Sequence, residues 1–189
     1  RFRHPDGTGY TEGNIEIKKM FFEGRVKDYS EAGKINILST EKALNNYTDF
    51  VKSKVGNLEG MRVAIDPGNG VGSIIIDELF QKFSVQTSCI NNEPDGRFPN
   101  RPSEPAPKNL GEIISMTKAG KFNFGVAYDG DADRCVFIDN AGIPVSPEKI
   151  GIIVAKSLIT PDSNKILAGV PCSMILEDEI PKIGGELIW

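Results

Sequence analysis

The chain has 189 residues, with 22 Lys and Arg against 26 Asp and Glu, so its formal net charge is −4. This length is sufficient for one large domain or two small ones with a true hydrophobic core. The acidic balance, without a run of Lys or Arg, argues against a nucleic-acid partner or an anionic membrane, and no apolar stretch is long enough to span a bilayer. Three widely spaced cysteines are typical of reduced thiols in a cytoplasmic protein, rather than of disulfides or a zinc site: Cys89, Cys135 and Cys172.

The first part of the chain predicts a small strand-turn-helix unit. Within residues 1–38 we expect a strand over the first three residues, a turn at Pro5–Gly7, and a helix around Ile15 and Phe21. A longer helix from Thr40 to Gly56 then leads into the central part of the chain.

The central part alternates between strands and helices. Residues 61–66 predict a strand that ends in the glycine-rich turn Pro67–Gly70, and residues 85–90 predict the next strand. Between them we expect one helix whose apolar residues have helical spacing, namely Val71, Ile74, Ile75, Leu79 and Phe83. Such alternation indicates an α/β fold with a sheet layered by helices.

Further along, residues 91–107 contain five prolines and predict an irregular loop. A helix from Leu110 to Gly120 follows, and then the two strands 122–128 and 135–139. Ser146, followed by Pro and Glu, predicts the start of another helix. The two strands flank an acidic turn, which carries the strongest functional signal in the chain.

Three carboxylates occupy alternate positions of that turn: Asp129, Asp131 and Asp133. Like charges at such spacing repel and raise each other's pKa unless a cation lies between them. A solvated acidic turn would account for the pattern equally simply. The small Gly130 and Ala132, and the position directly after a buried strand, favour a site for a hard divalent cation such as Mg²⁺ or Ca²⁺.

Other interpretations of the motifs are weaker. An EF-hand needs Gly at loop position six and Glu at position twelve, where this chain has Arg134 and Asn140. The turn Gly68–Gly72 lacks the spacing of a dinucleotide-binding loop, and the only histidine, His4, lies beside a predicted turn. Arg134 is either a counter-ion to the acidic turn or a contact for a phosphorylated ligand, and its position alone leaves both alternatives open.

Residues 126–134 (VAYDGDADR) resemble the metal-binding loop of the α-D-phosphohexomutase superfamily. Residues 63–72 and 94–107 are similar to the strand, turn and loop of that family's second domain. The resemblance implies an α/β fold with a mixed β-sheet layered with helices, flanked by parts of the neighbouring α/β domains. It divides the chain as follows: the end of the first domain and a connecting helix at 1–55, the second domain at 56–160, and the start of the third at 161–189. We therefore expect a central fragment of a four-domain enzyme.

The same resemblance implies the activity. Members interconvert hexose 1-phosphate and hexose 6-phosphate, with mannose, glucose or glucosamine as the sugar, through a phosphoserine and a hexose 1,6-bisphosphate. Mg²⁺ is implied at Asp129, Asp131 and Asp133, and Arg134 is implied as the catalytic residue at the substrate cleft. The implied partners are these sugar phosphates and the remaining domains of the polypeptide, so we expect the 189-residue chain alone to be inactive.

Two other functions remain as alternatives. The first is a non-catalytic module that binds a metal or a sugar phosphate; a phosphoserine loop encoded upstream would favour the enzyme over it. The second is a phosphatase of the haloacid-dehalogenase type. That class requires a small hydroxyl residue after its D-x-D motif, where this chain has Arg134, so it ranks last.

Overall fold

The computed structural model describes residues 2–25, 33–37 and 39–189, which belong to two compact units, Arg1–Ser39 and Thr40–Trp189. The first unit contains helix α1 (Thr11–Phe22), as predicted, although none of its residues is buried. The predicted turn is present, with the Gly7 N–H donating to the His4 carbonyl at 2.9 Å. The predicted initial strand is wrong for its described residues, Phe2 and Arg3, because the described part of this unit forms a single isolated bridge there, between Arg3 and Gly9.

A mixed four-stranded sheet forms the centre of the second unit, as predicted. Its strand order is β2-β1-β3-β4; β1 is parallel to both of its neighbours, and β4 is antiparallel to β3. The strands are β1 (Arg62–Asp66), β2 (Gln86–Cys89), β3 (Phe124–Tyr128) and β4 (Cys135–Asp139). All four fall within the predicted strands.

Helices cover both faces of this sheet because successive residues of a strand point to opposite sides. The helices of this part are α2 (Thr40–Lys52), α3 (Ile76–Gln81) and α4 (Gly111–Ala119). Val63 and Ile65 of β1 pack with Ile76 of α3, whereas Ala64 packs on the other face with Ile113 of α4. The predicted layered α/β architecture is confirmed.

The prediction of a helix directly after Gly70 is wrong. Val71–Ile74 forms a 3₁₀ turn, and α3 begins only at Ile76. Val71 and Ile74 were expected on the buried face, yet their exposed fractions are 56% and 54%. Gly72 is buried instead, because it lies so close to Ile76 and Ala132 that an added Cβ would contact both. The tight turn therefore changes which residues face the core.

The last part of the second unit contains the capped helix α5 (Pro147–Leu158), in which the Ser146 hydroxyl accepts from the Lys149 N–H, as expected. A parallel strand pair and a further helix follow: β5 (Lys165–Leu167), α6 (Ile175–Lys182) and β6 (Glu186–Ile188). The predicted division at residues 55 and 160 stays a prediction. Among the described residues, none of the helices has the length and hydrophobicity needed to cross a bilayer.

The thiol of Cys89, at the end of β2, gives a testable prediction. Burial, together with the nearby carboxylate of Asp77, raises the pKa of Cys89 from 9.0 to about 12. Since the thiolate is the reactive form, we expect iodoacetamide at about pH 8 to modify Cys89 at least about a hundredfold more slowly than the exposed Cys172. Peptide mass spectrometry of the folded protein measures both rates. Equal rates would contradict the described environment of Cys89.

Candidate metal centre at the sheet edge

The acidic loop lies where the connections of the sheet change direction. The crossover from β1 leads through α3 to β2 on one side, and the next leads through α4 to β3 on the other side of β1. In open α/β sheets, the crevice for ligands forms at such a point, outside the carboxyl ends of the strands. Asp66 ends β1 and Asp129 directly follows β3, so both chain segments meet at this edge.

The structure brings the three predicted aspartates together. One carboxylate oxygen from each of Asp129, Asp131 and Asp133 lies within 4.8 Å of the other two. The Asp129 side chain is 1% exposed, whereas the other two residues face solvent. The loop closes through Asp129 N–H to Arg134 O (3.1 Å) and Ala132 N–H to Asp129 O (3.2 Å). Ala132, at φ 57°, turns the chain so that the second and third aspartates converge on the first.

Arg134 lies at the site as the direct partner of Asp129. Its Nε donates to Asp129 Oδ2 at 2.8 Å, and its backbone N–H donates to Asp129 Oδ1 at 3.1 Å. Its Nη1 donates to Glu104 Oε2 at 2.7 Å. The arginine side chain is nevertheless 61% exposed. This geometry is that of a counter-ion, and it leaves the guanidinium accessible to a ligand.

The carboxylates influence each other's ionisation. Burial would raise the pKa of Asp129, but hydrogen bonds from the Arg134 N–H, Asp133 and the Arg134 guanidinium hold that pKa below its ordinary value. The pKa of Asp133 is raised by its hydrogen bond with Asp129 and then by the charge of Asp131. Without a cation, Asp133 is therefore protonated more readily than Asp129, and a bound cation would take the place of that proton.

The arrangement fits a hard cation. Mg²⁺ binds oxygen at about 2.0–2.1 Å in octahedral geometry, so two of its ligand oxygens lie at most about 4.2 Å apart. The three carboxylate oxygens lie within 4.8 Å of one another, and rotation of the exposed Asp131 and Asp133 side chains can adjust them to this geometry. All three donors are carboxylate oxygens, which suit Mg²⁺, Ca²⁺ or Mn²⁺ better than zinc.

The turn after β1 forms one wall of the acidic loop. The Val71 N–H donates to the Gly130 carbonyl at 3.0 Å. A Cβ added at Gly70 would lie 2.7 Å from that same carbonyl oxygen. The two backbones therefore touch directly, which only glycine at position 70 allows.

Gly70→Ala is expected to lower the free energy of unfolding by about 1–3 kcal/mol, because backbone atoms must shift to accept the methyl group. Gly111→Ala is the matched control, since nothing lies within 4 Å of the added Cβ and the position begins helix α4. We expect the control to stay within about 1 kcal/mol of the unchanged protein. Urea unfolding followed by circular dichroism measures both, and equal effects would contradict the close contact.

The loop at 91–107 forms the other wall. The Phe98 ring and Ser103 lie 3.1 and 3.3 Å from the position of an added Cβ at Gly130. Asn69 attaches this loop to the turn after β1: its side-chain amide donates to the Glu93 carbonyl at 2.8 Å, and its side-chain oxygen accepts from Asn100 at 2.9 Å. The acidic loop is thus held between two segments that the sequence predicted only as a turn and an irregular loop.

Comparison with known proteins identifies the family to which the chain belongs. Residues 43–142, more than half of the chain, match the family model described as phosphoglucomutase/phosphomannomutase, alpha/beta/alpha domain II. The chain belongs to the phosphoglucomutase/phosphomannomutase family. The matched segment includes the whole sheet, both walls and the acidic loop, so the resemblance inferred from the motifs is confirmed.

Relatives from this family align with most of the chain. The phosphoglucomutase/phosphomannomutase of Thermococcus kodakarensis is 31% identical, over 97% of this chain and 41% of that protein. The phosphoglucosamine mutase of Thermodesulfovibrio yellowstonii is 36% identical, over 78% of this chain and 34% of that protein. A family protein from Burkholderia thailandensis has the same fold, with a TM-score of 0.80, 22% identity, and coverage of 94% of this chain and 38% of its own. The chain thus spans about one third to two fifths of the length of these curated relatives.

Sequence reasoning missed a buried ion pair inside the family segment. Arg101 Nε lies 2.7 Å from Asp66 Oδ2, and the two side chains are 5% and 2% exposed. Asp66 was predicted only as the last residue of a strand, and Arg101 only as part of the proline-rich loop. One signal was available: an acidic residue at the end of an otherwise apolar buried strand requires a partner.

Proposed function

We propose that this chain is the metal-binding part of a Mg²⁺-dependent hexose-phosphate mutase. The reaction is the interconversion of hexose 1-phosphate and hexose 6-phosphate, with mannose, glucose or glucosamine as the sugar. A phosphoserine serves as the phosphoryl donor and a hexose 1,6-bisphosphate is the intermediate. The observation that carries this proposal is the convergence of Asp129, Asp131 and Asp133 at the switch-point edge of a family domain.

The residues of this chain have defined tasks in the proposed reaction. Asp129, Asp131 and Asp133 would hold Mg²⁺, which when bound supplies positive charge that neutralises and orients a transferring phosphoryl group. The N–H donors on both oxygens of Asp129 fix that carboxylate in its ionised form. Arg134 has three guanidinium N–H donors beyond those that contact Asp129 and Glu104, and its side chain is exposed, so its fork is available to a phosphate oxygen of the substrate.

The proposal is tested in a full-length framework. Residues 43–142 of this chain replace the matching segment of the Thermococcus kodakarensis protein, and mutase activity is measured with glucose 1-phosphate, mannose 1-phosphate and glucosamine 1-phosphate plus the matching bisphosphates. We expect the chimera to be active and the same chimera with Asp131→Asn to lose at least about a hundredfold in rate, since charge neutralisation is a large part of phosphoryl transfer.

Two outcomes would contradict the mutase proposal. The first is equal activity of the chimera with and without Asp131→Asn. The second is a folded chimera that binds Mg²⁺ but has no activity on any of the three sugars, which would favour the non-catalytic binding module. The 189-residue chain tested alone is still expected to be inactive, because orientation of both ends of the sugar is worth several orders of magnitude in rate.

A further inference from the structure

The guanidinium of Arg101 joins the ends of two strands. Its Nε donates to Asp66 Oδ2 at 2.7 Å, and its Nη2 donates to the Asp66 carbonyl at 3.1 Å and to the Tyr128 carbonyl at 2.7 Å. Its Nη1 donates to the Pro102 carbonyl at 3.1 Å. Asp66 ends β1 and Tyr128 ends β3, so one planar fork spans both strands at the edge that carries the acidic loop.

The turn after β1 is shaped around this arginine. A Cβ added at Gly68 would lie 2.4 Å from the guanidinium carbon, so only glycine permits the approach. The Gly68 N–H and the Asn91 side-chain amide both donate to Asp66 Oδ1, at 2.8 and 3.1 Å. Each oxygen of the Asp66 carboxylate therefore has a partner. Burying charged groups costs desolvation free energy, and apolar residues of similar volume would pack as well. Packing alone therefore does not account for this network.

The fork acts on the residue that begins the acidic loop. Tyr128 directly precedes Asp129. Of the two backbone carbonyls that accept hydrogen bonds from Arg101 Nη2, that of Tyr128 accepts the shorter bond. Fixing the peptide group between Tyr128 and Asp129 fixes the direction in which Asp129 leaves β3. The other two aspartates then reach the same point through the closed turn.

We propose that Arg101 is a positioning residue of the metal centre, whose bridge between the ends of β1 and β3 holds the acidic loop in the form where its three carboxylates converge. Within the described part of the chain, the hydrogen bonds of Arg101 reach Asp66, Pro102 and Tyr128 rather than a carboxylate of that loop, so Arg101 acts through Tyr128. The inference rests on the proposed function, because convergence matters only if the site binds a cation.

The test compares Arg101→Lys with the matched control Arg97→Lys in the 189-residue chain. Lysine at 101 keeps a positive charge for Asp66, but one ammonium cannot reproduce the fork that also reaches Tyr128. Arg97 is in the same loop, and its side chain is 87% exposed. Mn²⁺ binding is measured by electron paramagnetic resonance, and amide hydrogen exchange by NMR, at a temperature where circular dichroism shows all proteins folded.

We expect Arg101→Lys to weaken Mn²⁺ binding at least about tenfold, as for other groups that orient metal ligands. Exchange at the amides of Asp129 and Ala132 should accelerate at least about tenfold, while that of Ile114 in α4 stays unchanged. Arg97→Lys should change neither. A purely structural role would instead accelerate exchange everywhere and leave the Mn²⁺ affinity within about twofold, and that result would overturn the inference.

The two readouts separate this inference from the proposed function. If the unchanged chain does not bind Mn²⁺, the proposed metal function fails, and the exchange data alone decide the role of Arg101. Acceleration confined to the acidic loop would then still support positioning. Uniform or absent acceleration would overturn it.

Discussion

Asp131→Asn is expected to lower the affinity of the chain for Mn²⁺ or Mg²⁺ by about a hundredfold while leaving the fold intact. The side chain of Asp131 is exposed, and asparagine has nearly the same shape, so packing is not disturbed. The change removes one of three negative charges that face a single point. Oxygen-ligand sites tune their cation affinity through the number of charged ligands, and Mg²⁺ dehydrates only reluctantly.

Asp162→Asn is the matched control, because it makes the same chemical change at an exposed acid between α5 and β5. Calorimetric titration with Mg²⁺ and paramagnetic resonance with Mn²⁺ measure the two variants beside the unchanged chain. The control should bind as the unchanged chain does. Equal affinities of Asp131→Asn and the control would mean that the acidic loop is a solvated turn.

Arg101→Met is expected to lower the free energy of unfolding by about 3–5 kcal/mol, because it leaves the carboxylate of Asp66 buried without a charged partner. The double variant Asp66→Asn, Arg101→Met should lose less than this, since it leaves no charge unpaired. Urea unfolding followed by circular dichroism gives the free energies, provided that the transition is two-state.

The control for that series is Arg97→Met, which removes an exposed arginine from the same loop. Its partner Asp95 is held 2.6 Å away, but the Arg97 side chain is 87% exposed, so solvent replaces the lost contact. We expect its unfolding midpoint to be unchanged. If Arg101→Met had as little effect as Arg97→Met, the buried pair would not hold the edge of the sheet together.

The acidic loop was predictable from the sequence because its signal is local. Three acids at alternate positions, separated by small residues and placed after an apolar strand, lie within a few residues of one another. The strands β1 and β3 were predictable for the same reason, since each is a short apolar run bounded by a turn.

The partners of the loop were not predictable, because they are set by contacts between distant positions. Arg101 and Asp66 are 35 residues apart in sequence, and nothing near either residue specifies the other. The helix after Gly70 was misplaced because the close approach of Gly72 to Ala132, on a different strand connection, replaces the expected helical turn with a 3₁₀ turn. Contacts between distant positions decide both features.

Asp129, Asp131 and Asp133 are proposed to form one cation site at the switch point of the sheet. Its most direct test is the anomalous difference density of crystals of this chain grown with Mn²⁺, which prefers the same oxygen ligands as Mg²⁺. We expect one Mn²⁺ peak at coordination distance, close to the roughly 2.1 Å of Mg²⁺, from one carboxylate oxygen of each aspartate. A loop without a peak, with its three carboxylates directed into separate solvent, would contradict it.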